Sequence, residues 1–316
     1  MRKNIHQIFT HTTTRRGFLG LALAGGAAAL AACSNSGSST NSSSTSSSAA
    51  KSSTTAANEQ RIVVLNTGQL DNMLTLGILP VGAAKAKGGQ VINEYLRDAF
   101  GSDFDLDSIT DCGVRANPEL ETIASLNPTL ICANDRTDEA ILNQLKAIAP
   151  VVTGSGGGEN WKKDFVTIAE AVGKKSEAEA LIASYEDECS TFGNSLTTVP
   201  TVSFLRTKDD AFQVYGVNSM AGTVAADCKL NRPSSQQFTD TAGVNISAEQ
   251  LSEADADWLF YGIQDGATDP TTTSTWSTLN AVNNNQAVEV DYESWYTNAS
   301  YLSATIIRDS LKEHLA

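Results

Sequence analysis

Histidine is almost missing from this chain. There are three, His6, His11 and His314, and the first two fall in a stretch with the marks of a removable leader. What remains argues against a histidine-based zinc, manganese or haem site, and against Ser-His-Asp or Cys-His catalytic arrangements. No C-x-x-C spacing offers zinc or redox chemistry, and G-x-S-x-G and H-E-x-x-H are also lacking. Beyond the leader no run of about 20 apolar residues is present to span a bilayer. Positive charge is scarce as well. Of 22 basic and 36 acidic residues, four basic and no acidic ones precede Cys33, so the remainder carries a net charge near −18. Nucleic acid and anionic lipid surfaces are poor partners for such a body.

The N-terminus carries Arg2, Lys3, Arg15 and Arg16 ahead of a small-sided apolar run from Phe18 to Ala32. That is the pattern of a signal peptide. Thr14-Arg15-Arg16-Gly17-Phe18-Leu19 is similar to a twin-arginine export signal, an address that accompanies folded cargo. Leu30-Ala31-Ala32-Cys33 resembles a bacterial lipobox, which implies cleavage before Cys33, a diacylglyceryl thioether on its sulfur and an acylated amine. Residues 34–58 are nearly all Ser, Thr, Ala and Asn, with too little apolar surface to fold. As a flexible coil this tether spans roughly 25–30 Å. The expected localisation is therefore the extracytoplasmic face of the cell membrane, with the lipid anchor holding the protein there.

One pattern occurs twice. Asn117 to Ala133 and Asn245 to Tyr261 align without a gap, placing Glu121 on Glu249, Ile123 on Leu251, Asn127 on Asp255, and Leu130-Ile131 on Trp258-Leu259. Each copy reads as a short helix, a turn and a buried strand. Asn117 with Pro118 suits a helix start, and Ser247 with Gln250 suits a capping box. A short helix feeding a β-rich apolar run is half of an α/β unit. The fold expected is α/β, with two similar lobes of mainly parallel sheet.

Between and around the copies the elements follow in order. Arg61 to Leu65 is β-branched, Gln69 to Leu76 has helical spacing ended by Gly77, and Leu79 to Ala83 returns as a parallel strand. An irregular stretch runs to Asp111. Glu139 to Ile148 is an amphipathic helix and Pro150-Val151-Val152 a strand. Gly154 to Gly158 lacks the spacing of a phosphate loop and reads as a flexible loop. Trp161 to Val172 is helical. From Ser176 to about Ser195 a capping box (Ser176, Glu179) opens a helix with Leu181, Ile182, Tyr185, Cys189 and Phe192 on one face. At about 30 Å it is a stiff joint between the lobes and predicts a hinge of small amplitude. This divides the chain into a signal peptide (1–33), a tether (34–58), an N-terminal lobe (59–175), a connecting helix (176–195) and a C-terminal lobe (196–316). The last holds strands at Thr201 to Leu205, Phe212 to Tyr215 and Ala287 to Val290, and helices near Ala221 to Lys229, Trp276 to Leu279 and Tyr301 to His314.

Four cysteines follow Cys33. Outside the cytoplasm Cys112, Cys132, Cys189 and Cys228 are candidates for oxidation, and three pairings are open. Pairing Cys112 with Cys132 and Cys189 with Cys228 keeps each bridge inside one lobe; four buried thiols are the alternative.

Several segments together resemble a known family: R-I-V-V-L-N-T-G-Q-L-D-N-M-L-T-L-G-I-L-P-V-G, G-V-R-A-N-P-E-L-E-T-I-A-S-L-N-P-T-L-I, V-Y-G-V-N-S-M-A-G-T-V, I-S-A-E-Q-L-S-E-A-D-A-D-W-L and the region of Trp295. They are similar to siderophore-binding solute-binding proteins of ABC transporters, the class in which one long helix joins two lobes. The resemblance implies a non-enzymatic monomer that catches a ferric siderophore in the cleft between lobes and delivers it to a membrane permease and its ATPase. No cofactor is implied, because the chelator fills the iron's coordination shell. Arg115 stands in the G-x-R-x-x-P-x-x-E context whose arginine contacts ligand in hydroxamate binders. Arg136 replaces a cleft tyrosine of those binders, which favours a more anionic cargo, since arginine grips carboxylates bidentately. Arg206 and Arg232 are further candidates to face the cleft, with Tyr215, Trp295 and Tyr296 as aromatic walls and Trp258 as core. Glu121 and Glu249 match the acidic knobs with which the family docks on its permease.

Cobalamin or haem in the same fold is the alternative cargo; haem would need a tyrosine ligand. A hydrolase lacks a nucleophile with a base, and an adhesin of this fold would bind no small ligand.

Overall fold

The computed structural model describes residues 60–316, so the export segment, Cys33 and the tether lie outside the described residues. The first sheet grows from Ile62–Val64 (β1), whose three residues are all buried. Thr67–Thr75 (α1) follows, opened by a capping box between Asn66 and Gln69. Then come Gly82–Lys85 (β2), Glu94–Phe100 (α2), Thr110–Val114 (β3), Asn117–Pro118 (β4), Leu120–Ser125 (α3), Leu130–Asn134 (β5), Glu139–Ile148 (α4) and Val151–Gly154 (β6). Spatial order is β4-β3-β2-β1-β5-β6. All neighbours are parallel except the short edge strand β4. Such a sheet must be covered on both faces. Val63, Ile131 and Ala133 point to one core, and Ile62, Val64 and Cys132 to the other.

Two helices, Trp161–Ala171 (α5) and Lys175–Ser195 (α6), lead to the second sheet. It comprises Val202–Lys208 (β7), Ala211–Tyr215 (β8), Gly243–Ile246 (β9), Trp258–Ile263 (β10) and Ala287–Glu289 (β11), with Met220–Asp227 (α7) between β8 and β9 and Asn280–Asn283 (α8) before β11. Order is β11-β10-β7-β8-β9. The β11-β10-β7 half is parallel, whereas β7-β8-β9 is antiparallel. The second lobe's sheet is therefore mixed, while pairing over the two sheets together is mainly parallel, as expected. The reason is local: Asp209 and Asp210 alone separate β7 from β8, and Asp209 takes φ 52°, so the chain turns back in a hairpin.

The repeated stretch forms edge strand, short helix and buried strand in both lobes. Ser247 and Gln250 make the expected capping box on a 3-10 helix, Ala248–Ala254. Asn117 does not cap α3; it lies in β4, and the helix starts at Leu120. Nor does Ser176 cap α6, which begins at Lys175. The stretch up to Asp111, expected to be irregular, holds α2 and the start of β3.

The joint between lobes has more than one brace. On α6, Ala178 packs into the first lobe's core, Tyr185, Cys189 and Phe192 into the second, and Ile182 touches both. Tyr301–Leu315 (α9) repeats this, with Leu302 in the first core and Ala304, Ile307 and Leu311 in the second. Two helices crossing the same seam stiffen it beyond what one would.

All four described cysteines are reduced and buried. Cys112 on β3 and Cys132 on β5 lie three strand spacings apart, about 14 Å, and on opposite faces of the sheet. That separation rules out a disulfide between them. Cys189 on α6 and Cys228 after α7 hydrogen-bond to each other.

Candidate ligand cleft

The C-terminal ends of β1 and β5 and the loops after them face β7, β8 and the segment before α9 across a cleft of about 550 Å³. Strand ends of open α/β sheets are where ligands bind, because backbone amides and loop side chains converge there. Arg115, Arg136, Arg206, Tyr215, Trp295 and Tyr296 all line it, and Arg232 does not.

Arg115 follows β3 and is exposed; its Nη1 donates to the Thr67 hydroxyl at 3.2 Å. Arg206 enters from β7 on the other lobe. Its Nε donates to Gln213 Oε1 at 2.6 Å, and Nη1 reaches the Tyr296 carbonyl and Tyr292 hydroxyl at 3.3 and 3.4 Å. The guanidinium sits 5.1 Å from the Tyr215 ring centre and 5.9 Å from that of Tyr292. Among the described residues neither arginine has a carboxylate at ion-pair distance. Arg136 is more engaged, with Nη2 2.8 Å from the Gly156 carbonyl and 4.0 Å from Glu159.

The carboxylates on the cleft wall are committed elsewhere. Asp138 caps α4 by accepting from the Ala140 and Ile141 amides. Asp164 accepts from the Ser155 and Gly156 amides at 2.9 and 2.7 Å. The glycine-rich loop, expected to be flexible, is thus tied down as part of the wall. Asn66, Asn72, Asn134, Thr297 and Asn298 add polar groups that the sequence did not single out.

Trp295 and Tyr296 are set in the second lobe's core as much as in the cleft. Trp295 stacks on Phe260 with ring centres 5.4 Å apart, and the Tyr296 hydroxyl donates to the Phe260 carbonyl at 2.9 Å. Burial pushes the ionisation of Tyr215 and Tyr296 well above the ordinary range. Tyr292, missed in the sequence although only three residues before Trp295, touches Arg206 directly.

Arg232 is a correction. Its side chain turns inward and lies 4.1 Å from the Phe204 ring centre. Its Nη2 donates to the Tyr215 carbonyl at 2.6 Å and to Gln236. Nε and Nη1 are buried without a partner. Desolvation lowers its pKa to about 9, so it is a costly core cation behind the aromatic wall.

A family model described as periplasmic binding protein matches residues 62–293. The chain belongs to the periplasmic binding protein family. It is a solute-binding protein and not an enzyme. Among curated relatives it is 32% identical over 275 residues to a probable siderophore-binding lipoprotein, YfiY, of Bacillus subtilis (strain 168), covering 81% of this chain and 82% of that one. It is 30% identical over 244 residues to the Fe(3+)-citrate-binding protein YfmC of the same organism, covering 75% and 74%. Among solved structures, Staphylococcus aureus SirA complexed with staphyloferrin B matches this binding protein at TM-score 0.69 and 27% identity, over 81% of this chain and 92% of that one.

Glu121 and Glu249 are exposed and each lies in the first turn of its short helix. Among the described residues no group of three or more His, Cys, Asp or Glu is placed to hold a metal ion, and no helix is long and apolar enough to cross a membrane.

Proposed function

We propose that this protein captures an anionic ferric siderophore between its lobes and delivers it to an ABC permease and its ATPase for iron uptake. The observation that carries the proposal is the pair Arg115 and Arg206. They enter one cleft from opposite lobes, and among the described residues no carboxylate lies at ion-pair distance from either, in a chain whose net charge is −14. Two such charges complement an oxygen-rich anion and repel a cationic or bare ferric ion. The iron is cargo already wrapped by its chelator. The names of the relatives, a siderophore-binding lipoprotein and a ferric citrate-binding protein, agree with this class.

Haem is disfavoured by the wall itself. A phenolate ligand would be drawn from Tyr215, Tyr292 or Tyr296, and two of these hydroxyls are engaged in the wall: that of Tyr296 donates to the Phe260 carbonyl and that of Tyr292 accepts from Arg206. The remaining histidine, His314, packs on Trp258 and Phe260 outside the cleft lining.

Delivery uses the two acidic knobs in this reading. Glu121 and Glu249 dock the lobes on a basic permease surface, with lipidated Cys33 and the tether keeping the monomer at the membrane. Calorimetric titration with ferric citrate tests the cleft. Arg115→Ala or Arg206→Ala should each weaken binding about tenfold or more, since a charge-assisted hydrogen bond contributes about 1.5–3 kcal/mol. Unchanged affinity in both variants would remove the basis of the proposal. Glu121→Arg with Glu249→Arg should abolish uptake while leaving ligand affinity as it was.

A further inference from the structure

A second cavity of about 260 Å³ opens beside the main cleft and shares Arg115, Arg206 and Tyr296 with it. Its own cations are Lys87, in the turn after β2, and Lys208, the last residue of β7. Each lobe thus supplies one lysine and one arginine. The single acidic residue in the lining is Glu293, whose carboxylate accepts from the Thr297 hydroxyl at 2.6 Å. Among the described residues neither Lys87 nor Lys208 has a carboxylate at ion-pair distance, whereas Lys85, Lys162, Lys174 and Lys175 all do. Gln264 adds an amide oxygen that is buried without a partner. Four cations line the cavity against one engaged acid, with Asp209 beside Lys208 at its edge and near Tyr292; in a strongly acidic protein the lining is a local excess of positive charge.

We infer that this annex is a second anion subsite, which takes carboxylates of the bound complex that do not coordinate iron and so selects ferric polycarboxylates over ferric hydroxamates. The inference rests on the reading of the cleft as a ferric siderophore site and narrows its ligand class. Two citrates, for example, offer more carboxylate and hydroxyl groups than a six-coordinate ferric ion has positions. The surplus carboxylates project from the complex as free negative charges. A complex seated between Arg115 and Arg206 would present its uncoordinated end to the annex, where Lys87 and Lys208 meet it from opposite lobes. Lysine suits this task better than arginine would: the ammonium is a compact, hydrated point charge on a flexible stem and follows a pendant group without demanding a planar fork. Because both lysines are exposed, they act also on encounter, raising the association rate in a salt-dependent way.

The test is stopped-flow and equilibrium tryptophan fluorescence of the wild-type protein, Lys87→Ala, Lys208→Ala and the double variant with ferric citrate and a ferric hydroxamate. The exposed Lys146→Ala, on α4 and outside both cavities, serves as control, and melting curves establish that every variant is folded. Loss of one solvated charge contact is expected to weaken ferric citrate binding about fivefold, and loss of both about 25-fold. The double variant should also show a slower association rate and a shallower salt dependence, with Lys146→Ala unchanged. If the wild type binds ferric citrate and the double variant binds it equally well, the annex is not a subsite, while the reading of the cleft stands. If the wild type binds the ferric hydroxamate and no ferric citrate, the annex assignment falls and the broader siderophore function survives. If it binds no ferric complex of any class, both fall.

Discussion

The Ser300 hydroxyl donates to the Asp71 carboxylate at 2.8 Å, tying the start of α9 to α1 across 229 positions of sequence. Around this pair the Tyr95 hydroxyl donates to the same carboxylate oxygen at 2.8 Å, and Asn298 donates to the Tyr95 hydroxyl. The Tyr301 amide donates to Asn72 Oδ1 at 3.1 Å, and the Thr67 hydroxyl to the Thr297 carbonyl at 3.1 Å. Thr67, Asn72, Thr297 and Asn298 also line the cleft. The polar seam that fastens the C-terminal segment to the first lobe is therefore also the back wall of the cleft.

Asp71 makes that seam sensitive to pH. Burial raises its pKa from 3.8 to about 6, and the hydrogen bonds from Ser300 and Tyr95 offset only part of the rise. The fold holds this proton more tightly than the unfolded chain does. Its contribution to stability is accordingly greatest below pH 4, falls as pH rises from 4 through 6, and is constant above that. A shift of this size corresponds to about 3 kcal/mol. In Asp71→Asn the dependence is absent. The stability of wild type minus that of Asp71→Asn, from urea unfolding at several pH values, should decrease across this window. Parallel pH curves for the two proteins would show that Asp71 titrates normally.

Close backbone contact across the joint rests on two glycines. A Cβ on Gly68 would lie 2.3 Å from the Ala299 carbonyl oxygen, and one on Gly158 would lie 2.2 Å from the Met220 amide nitrogen. Both neighbours are backbone and cannot rotate away. Gly68→Ala and Gly158→Ala should each destabilise by about 1–3 kcal/mol, the ordinary cost of overpacking. They should also weaken ligand binding, since both glycines border the cleft. A melting temperature equal to that of the wild type for either variant would mean that the lobes part there without cost.

Arg232 and Arg115 should separate cleanly in experiment. Arg232→Met keeps the packing against Phe204 and removes a desolvated charge with two unpartnered donors. Relief of the desolvated charge outweighs or balances the loss of its hydrogen bonds to the Tyr215 carbonyl and Gln236. The melting temperature is expected to hold or rise, with ferric ligand affinity within about twofold of wild type. Arg115→Ala is expected to leave the melting temperature unchanged and to cost affinity. Reversal of this pattern in thermal shift and calorimetry would return Arg232 to the binding site.

Thiol chemistry follows from the sheet. Burial raises the Cys112 pKa to about 11 and that of Cys132 to about 12, so neither should react with an alkylating reagent in the folded protein near neutral pH. Unfolding in denaturant without reductant should make both alkylate fully, as read by peptide mass spectrometry. A disulfide-linked peptide joining Cys112 to Cys132 would contradict their placement on opposite faces.

Elements with a strong periodic pattern and clear ends could be read directly. Glu139 to Ile148 appears at those boundaries because Asp138 caps it and Pro150 follows closely. Tyr301 to His314 holds for similar reasons, with Ser300 as cap. The elements at 94–114 escaped because α2 is only seven residues and β3 is half-exposed around Gly113, leaving no alternation to see. In the cleft, Arg115 and Arg206 were legible as cations at strand ends. Arg232 misled because the run N-R-P-S-S-Q reads as polar loop, and nothing local reveals that the side chain turns back over Phe204. Asp71 gave no sign at all. An aspartate inside a helix reads as solvent-facing, and what buries it arrives some 230 residues later.

The most direct test of a cleft for anionic ferric siderophores is a tryptophan-fluorescence titration with ferric citrate and with ferric carboxylate, catecholate and hydroxamate siderophores. Their iron-free forms, haem and cobalamin complete the panel, and Trp295 in the cleft wall is the reporter. Saturable quenching at submicromolar concentration by a ferric carboxylate, but not by its iron-free chelator, is the expected result. Quenching by haem or cobalamin alone would contradict it.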